Sequence, residues 1–223
     1  MPSARRSPSA GPLRVGLVGR TGSGKSTVAR ALEADGAIVM DADAIGHEVT
    51  DRDPNVRAAL TAEYGPEVYR DGHLDRRRVA QRVFGDAAAR ERLDRLVHPR
   101  ILERIRQRLA ALDGRGFRGV VVIDAALLLD WGLERELDAV LAVTAPDARR
   151  IERLERARGW SEEEARRRLA VQRDDAQFRA AADVALDNSG EPAALAEAAR
   201  EAVRQLAARR GGDDTHTEGP KTC

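Results

Sequence analysis

The segment Gly19-Arg20-Thr21-Gly22-Ser23-Gly24-Lys25-Ser26 fits the spacing G-x-x-x-x-G-K-[ST] of a phosphate-binding loop. An apolar run, Leu13 to Val18, precedes it, and a helix-like run, Lys25 to Ala34, follows. Strand, glycine-rich turn and helix in that order constrain the chain more than any other feature. Glycines let the backbone fold tightly, so that successive N–H groups point at phosphate oxygens. The helix start behind the loop adds partial positive charge. Of the 38 lysines and arginines only Lys25 and Lys221 are lysine, and Lys221 lies in a polar tail. Lys25 is therefore the lone ammonium in the body of the chain. It would reach the β- and γ-phosphates as a compact charge that arginine's planar fork does not simply replace. Ser26 would place its hydroxyl on Mg²⁺. The motif points to a nucleoside triphosphate and to no particular reaction.

At 223 residues the chain suits one α/β domain with an insertion, or two small domains. Hydrophobic residues make up 42% but aromatics only 3%, so the core is aliphatic. A formal net charge of +1 gives no global field to attract nucleic acid. No apolar run reaches membrane-spanning length and no signal peptide is evident. Cys223, the only cysteine, excludes an intrachain disulfide or a cysteine metal cluster. These features predict a cytoplasmic protein. Its folded domain is expected over residues 13–210, between disordered tails at 1–12 and 211–223.

Five apolar runs read as buried parallel strands: Leu13–Val18, Ala37–Asp41, Val120–Asp124, Ala139–Val143 and, more weakly, Val184–Asp187. Helical segments between them argue for a right-handed, doubly wound α/β sheet. Gly36 fits the stop after the first helix. The stretch from about residue 44 to 118 far exceeds one crossover helix. Helical patterns at Asp75–Phe84 and Asp86–Leu112 make it a largely helical insertion, suited to hold a second substrate or to serve oligomerisation. Between the fourth and fifth strands, Pro146 is expected to open a helix that carries Arg149, Arg150, Arg153 and Arg156. Ser161-Glu162-Glu163-Glu164 then reads as a capping box for a second helix. This pair, about 149–173, has the makings of a lid whose arginines either salt-bridge on the surface or reach the phosphates.

Asp41 and Asp43 end the second strand, at the edge where open parallel sheets gather ligands. Either a proton-accepting or metal-holding carboxylate fits, and so does a helix cap, with Asp43 placed to cap Ala44-Ile45. Asp124 closes the apolar run Val120–Ile123, as the Mg²⁺-water carboxylate of phosphate-loop proteins does. His47, His73 and His98 show no metal spacing, and His98-Pro99 looks like a helix start.

Taken in order, these residues resemble the dephospho-coenzyme A kinases from about Leu13 to Gln205. The markers are Gly16 to Thr27, Gly36-Ala37 through Asp41-Ala42-Asp43 to His47, and Asp71-Gly72-His73-Leu74-Asp75-Arg76. Val83-Phe84, His98-Pro99-Arg100-Ile101 and Asp124 to Asp130 follow. Arg156, Gln172, Ala182-Asp183-Val184 and Asp187-Asn188-Ser189-Gly190 complete the set. The resemblance implies a phosphate-loop kinase fold and transfer of the γ-phosphoryl of ATP to the 3′-hydroxyl of dephospho-CoA, with Mg²⁺. It implies that Gly22, Ser23, Gly24, Lys25, Ser26 and Thr27 hold phosphates and that Asn188 lies by adenine. Asp43 becomes the general base, Arg156 the lid arginine, and Ser26, Asp43 and Asp124 the metal side. His73, Leu74, Asp75, Arg76 and His98 form the acceptor side. The chain departs from the family at Arg20, where glycine is common, at Ala126 (proline) and at Asp130 (glutamate). The alternatives are a nucleoside monophosphate kinase-like enzyme of the same fold and a nucleotide-dependent switch with no acceptor.

Overall fold

The computed structural model describes residues 11–83 and 86–213. In chain order the strands are β1 (Leu13–Val18), β2 (Ile38–Asp41), β3 (Tyr69–Arg70), β4 (His73–Leu74), β5 (Val120–Asp124), β6 (Ala139–Thr144) and β7 (Val184–Asp187). The α-helices are α1 (Lys25–Ala34), α2 (Ala42–Arg52), α3 (Pro54–Tyr64), α4 (Arg76–Val83) and α5 (Ala87–Gly114). They continue as α6 (Asp147–Arg158), α7 (Glu162–Ala170), α8 (Asp175–Ala181) and α9 (Pro192–Asp213). The chain forms two compact units, one from the stretches up to Met40 and from Gly116 onward, the other from Asp41–Arg115. Of the expected tails, residues 1–10 and 214–223 lie outside the described residues, whereas α9 extends through Asp213 into the second. Phe84, the expected end of a helix, also lies outside them.

The first unit is built on a five-stranded sheet in the order β2-β5-β1-β6-β7. β1 runs parallel to both neighbours, with Leu17 opposite Asp124 on β5 and Leu141 on β6. β6 and β7 are parallel as well. Every residue of β1 and of β6 is buried, because both faces of the sheet are covered. The edge strands β2 and β7 are partly exposed, which is why their apolar runs are short. α1 and α9 pack together beside the sheet, and Val15, Leu17, Val28, Leu32, Leu141 and Leu195 belong to one core. Full burial of each such side chain stabilises the fold by about 1.5–3 kcal/mol. α6 and α7 share a small core of Ile151, Leu154, Ala165 and Leu169, with Trp160 against it.

The second unit is helical, as expected, with one short addition. β3 and β4 pair antiparallel through Tyr69–Leu74 and Arg70–His73, strands too short to leave a period in the sequence. α2 packs on α5, and a Cβ on Gly46 would come within 3.1 Å of Ile101. His98-Pro99 does not start a helix: Pro99 lies inside α5. Proline in a helix interior costs about 3 kcal/mol. The burial of Ile101, Ile105 and Leu109 in the following turns offsets that cost.

Candidate active site

The loop between β1 and α1 takes the shape that its glycines permit. Gly24 has φ 111° and forms the N-cap of α1, a backbone conformation that side chains strain. Gly19, at φ 145°, approaches the Val143 carbonyl so closely that a Cβ would lie 2.3 Å from it. The Lys25 ammonium donates to the Gly19 carbonyl at 2.9 Å, spanning the loop from end to end. Two of the expected phosphate donors are otherwise committed: Ser23 N–H donates to Arg20 O and Thr27 N–H to Gly24 O. The N–H groups of Gly22, Gly24 and Ser26 make no such bond among the described residues. They point to the same conclusion as the motif, a backbone ready for an anion.

The loop is braced from behind. Asn188, only 4% exposed, donates through Nδ2 to the Ser23 carbonyl at 2.7 Å, and its own N–H donates to Thr144 O. The Asn188 side chain thus supports the loop from inside the protein, and only the backbone of that segment is expected beside adenine. Arg153 donates to the carbonyls of Gly22 at 3.2 Å, Ser23 at 3.4 Å and Asn188 at 3.1 Å. Burial, with Arg149 nearby, lowers the pKa of its guanidinium. The Ser23 carbonyl is held by Arg153, and the adjoining N–H of Gly24 makes no backbone bond among the described residues. Arg150 is 1% exposed and pairs with both Asp147 and Asp175.

Arg156 has a different setting. Its side chain is 76% exposed and paired with Glu152, which also meets Arg149. Arg153 is the functional candidate that sequence reasoning passed over. A signal for it exists: Ile151 and Leu154 mark the buried face of α6, and Arg150 and Arg153 flank it, while Arg149 and Arg156 lie across the helix. The pair's other expectations fare as follows. Pro146 is the N-cap of α6, one position earlier than expected. Ser161 caps α7 by accepting from Glu164 N–H at 3.2 Å, but both halves of a capping box occur at Asp174 and Gln177 instead.

Asp124 ends β5 in register with Leu17, just before the loop, and Ser26 is exposed in the first turn of α1. Among the described residues no group of three or more His, Cys, Asp or Glu side chains forms a metal cluster.

In the helical unit, Asp41 is the N-cap of α2: its Oδ1 accepts from Asp43 N–H at 2.8 Å and from Ala44 N–H at 3.2 Å. The expectation that Asp43 caps the helix is therefore corrected. The last residue of β2 faces the first orphan N–H groups, so the cap falls two residues earlier. That leaves the Asp43 carboxylate exposed in the first turn, clear of capping duty.

The block His73 to Arg76 divides its tasks. Leu74 is buried in the core, and Asp75 caps α4 by accepting from Arg78 N–H at 3.0 Å. His73 is 75% exposed with Nδ1 2.9 Å from Asp51 Oδ2. Arg76 donates to Thr50 Oγ1 at 3.0 Å and to Asp51 Oδ1 at 3.3 Å. Asp51, which sequence reasoning did not single out, also accepts from Leu74 N–H at 3.0 Å. Burial pushes its pKa up, but hydrogen bonds from His73 and Leu74 and the charge of Arg76 outweigh that and hold it below 3.8. His98 is half-buried, with Nε2 3.4 Å from Asp94 one turn earlier on α5.

Comparison with known proteins points one way. The family model for dephospho-CoA kinase matches residues 13–194. A dephospho-CoA kinase from Thermobifida fusca is 41% identical over 203 residues, covering 88% of this chain and 100% of its own. One from Deinococcus radiodurans is 43% identical over 195 residues, covering 87% of this chain and 93% of its own. A crystal structure from Thermus thermophilus superposes with a TM-score of 0.74 at 32% identity, covering 88% of this chain and 98% of its own.

Proposed function

The chain belongs to the dephospho-CoA kinase family, and we propose that its reaction runs on Lys25, Asp43 and Arg156. The enzyme transfers the γ-phosphoryl group of ATP to the 3′-hydroxyl of dephospho-CoA, giving CoA and ADP, the final step of coenzyme A synthesis. A bond forms between the hydroxyl oxygen and Pγ. The bond from Pγ to the β,γ-bridging oxygen breaks, and ADP leaves with the electron pair.

The family match carries the acceptor, and the observation that supports the ATP side is the phosphate loop, with Lys25 spanning it and the N–H groups of Gly22, Gly24 and Ser26 uncommitted among the described residues. These groups bind and orient the phosphates, and the Lys25 ammonium meets charge that grows on the β- and γ-oxygens. Asp43 accepts the proton of the acceptor hydroxyl. A carboxylate is a far weaker base than an alkoxide, so the proton moves late, and Asp43 serves first to orient the hydroxyl. Arg156 exchanges its exposed Glu152 partner for the transferring phosphoryl group, since an exposed ion pair holds it by only about 0–1 kcal/mol. His73 and Arg76, set by Asp51, and His98 form the acceptor side, while Leu74 and Asp75 shape it from within. Asn188 contributes to ATP binding through the loop that it braces.

The donor set fits Mg²⁺. Ser26 offers an exposed hydroxyl, and Asp124 stands where its strand meets the start of the loop. Mg²⁺ retains several waters and needs only one or two protein oxygens beside the phosphates. When bound it neutralises charge between the β- and γ-phosphates. Asp124 or Asp43 would hold its waters. The same reading puts the reaction in the cytoplasm. The test is coupled ADP release with and without dephospho-CoA, beside a panel of nucleoside monophosphates. ADP release should depend on dephospho-CoA. Turnover indifferent to it, or higher with a nucleoside monophosphate, would overturn the assignment.

A further inference from the structure

The phosphate loop carries a guanidinium at Arg20, where the family resemblance implies glycine. The Arg20 side chain is only 13% exposed. Its Nη2 donates to the Leu169 carbonyl at 2.6 Å, and its Nη1 donates to Asp147 Oδ1 at 3.1 Å. Leu169 lies in the last turn of α7, where carbonyls lack helical partners and the helix end is negative. Asp147 is the first residue of α6, where a carboxylate suits the positive end. One side chain from the loop thus joins the entrance of α6 to the exit of α7.

Adjacent residues extend the contact. Thr21 donates its N–H to Gln172 Oε1 at 2.9 Å and accepts from Gln172 Nε2 through Oγ1 at 2.8 Å. Arg173 donates to Asp130, another position where the chain departs from the family, with Nη2 at 2.7 Å. Asp147 is shared with buried Arg150, whose backbone runs against Gly22. The backbone carbonyl that Arg20 gives to Ser23 N–H could come from any residue. Glycine at position 20 would keep the loop's own turn and lose the clamp.

We propose that Arg20 is a positioning residue that clamps the α6–α7 pair to the outer side of the phosphate loop. Ordering of the loop by nucleotide and placement of the α6 arginines then become one coupled event. The coupling is reciprocal: what steadies the pair also favours the loop's binding geometry. This inference rests on the reading of the Lys25 loop as the ATP site, and it concerns the donor only.

The test uses the full chain as wild type, Arg20→Gly and Arg20→Met. Amide hydrogen exchange across residues 147–172 is measured without nucleotide, and KM is measured separately for ATP and for dephospho-CoA. Both variants should exchange about fivefold faster or more in α6 and α7, on the scale of one lost charge-assisted hydrogen bond. KM for ATP should rise by a similar factor, with KM for dephospho-CoA within about twofold of wild type. Arg20→Met keeps the packing of the stem, so it carries the test should Arg20→Gly fold poorly. Wild-type exchange across 147–172 in Arg20→Met would overturn the proposal. So would equal increases in both KM values, which indicate general loosening. The exchange measurement needs no turnover, so it stands apart from the acceptor panel that tests the reaction.

Discussion

Nδ2 of Asn188 lies 2.7 Å from the Ser23 carbonyl and occupies the place that a Cβ on Gly24 would need, 2.1 Å from where that carbon would sit. Gly24 therefore answers to two demands, its left-handed backbone and the amide against it. Gly24→Ala should disturb the loop before it disturbs the sheet. We expect KM for ATP to rise at least tenfold, with a stability loss of about 1–3 kcal/mol. ATP titration beside urea unfolding checks this, and a variant with unchanged ATP affinity would contradict it.

Lys25→Ala removes the one ammonium of the loop. Phosphoryl transfer should fall by about 10²–10³, the cost of removing a preorganised donor to developing charge. Thermal melting should change little, because the Lys25 contact to Gly19 is only part-buried. Coupled ADP release gives the rate.

Asp41→Ala and Asp43→Asn separate a cap from a chemical group. Loss of the Asp41 cap should cost about 1 kcal/mol of stability. Asp43→Asn should reduce turnover by about 10²-fold or more if the carboxylate takes the proton. Turnover of Asp43→Asn within twofold of wild type would remove Asp43 from the mechanism.

Arg153→Ala and Arg156→Ala should differ in kind. Arg153 holds loop carbonyls, so its loss should raise KM for ATP by about fivefold or more. Arg156 is exposed and, among the described residues, pairs with Glu152 one turn away on its own helix, so its loss should leave stability within about 0.5 kcal/mol. Its effect should fall on kcat. Steady-state kinetics for ATP at saturating acceptor distinguishes the two.

Asp51 predicts an acid limit for the β3–β4 hairpin. Its folded-state pKa lies below the ordinary 3.8, so the unfolded chain binds the proton more readily. The stabilisation is fully present above about pH 4 and is lost as pH falls through the folded-state value. Exchange of Leu74 N–H, which donates to Asp51, should accelerate there relative to the ordinary pH dependence. Asp51→Asn should abolish that acid component.

The fold was legible where burial leaves a continuous aliphatic run. β1, covered on both faces, shows in the sequence at full length, β6 shows all but its last residue, Thr144, and α5 shows from Asp86 to Leu112 against an observed Ala87–Gly114. Pro99 misled because a local penalty was outweighed by side chains several residues on, Ile101, Ile105 and Leu109. The β3–β4 hairpin stayed hidden because two residues cannot express an alternation. At the site, Lys25 and its glycines were readable because the motif is continuous. Asp51 and Arg153 were not, because their partners lie across separate turns. Telling Arg153 from Arg156 required knowing which side of α6 is buried, although Ile151 and Leu154 carry that information.

The helical unit enters the chain between β2 and β5, which are immediate neighbours in the sheet. A crossover there must carry the chain back along the sheet and return it to a neighbouring strand about 4.8 Å to the side. Lengthening such a connection carries little entropic cost, since closure grows only logarithmically with length. The 41–115 segment thus sits where the chain can lengthen without changing the order of the sheet. The loop from Gly19 to Ser26, its brace Asn188 and α6 all belong to the other unit, so the chain can vary in length at 41–115 without touching them.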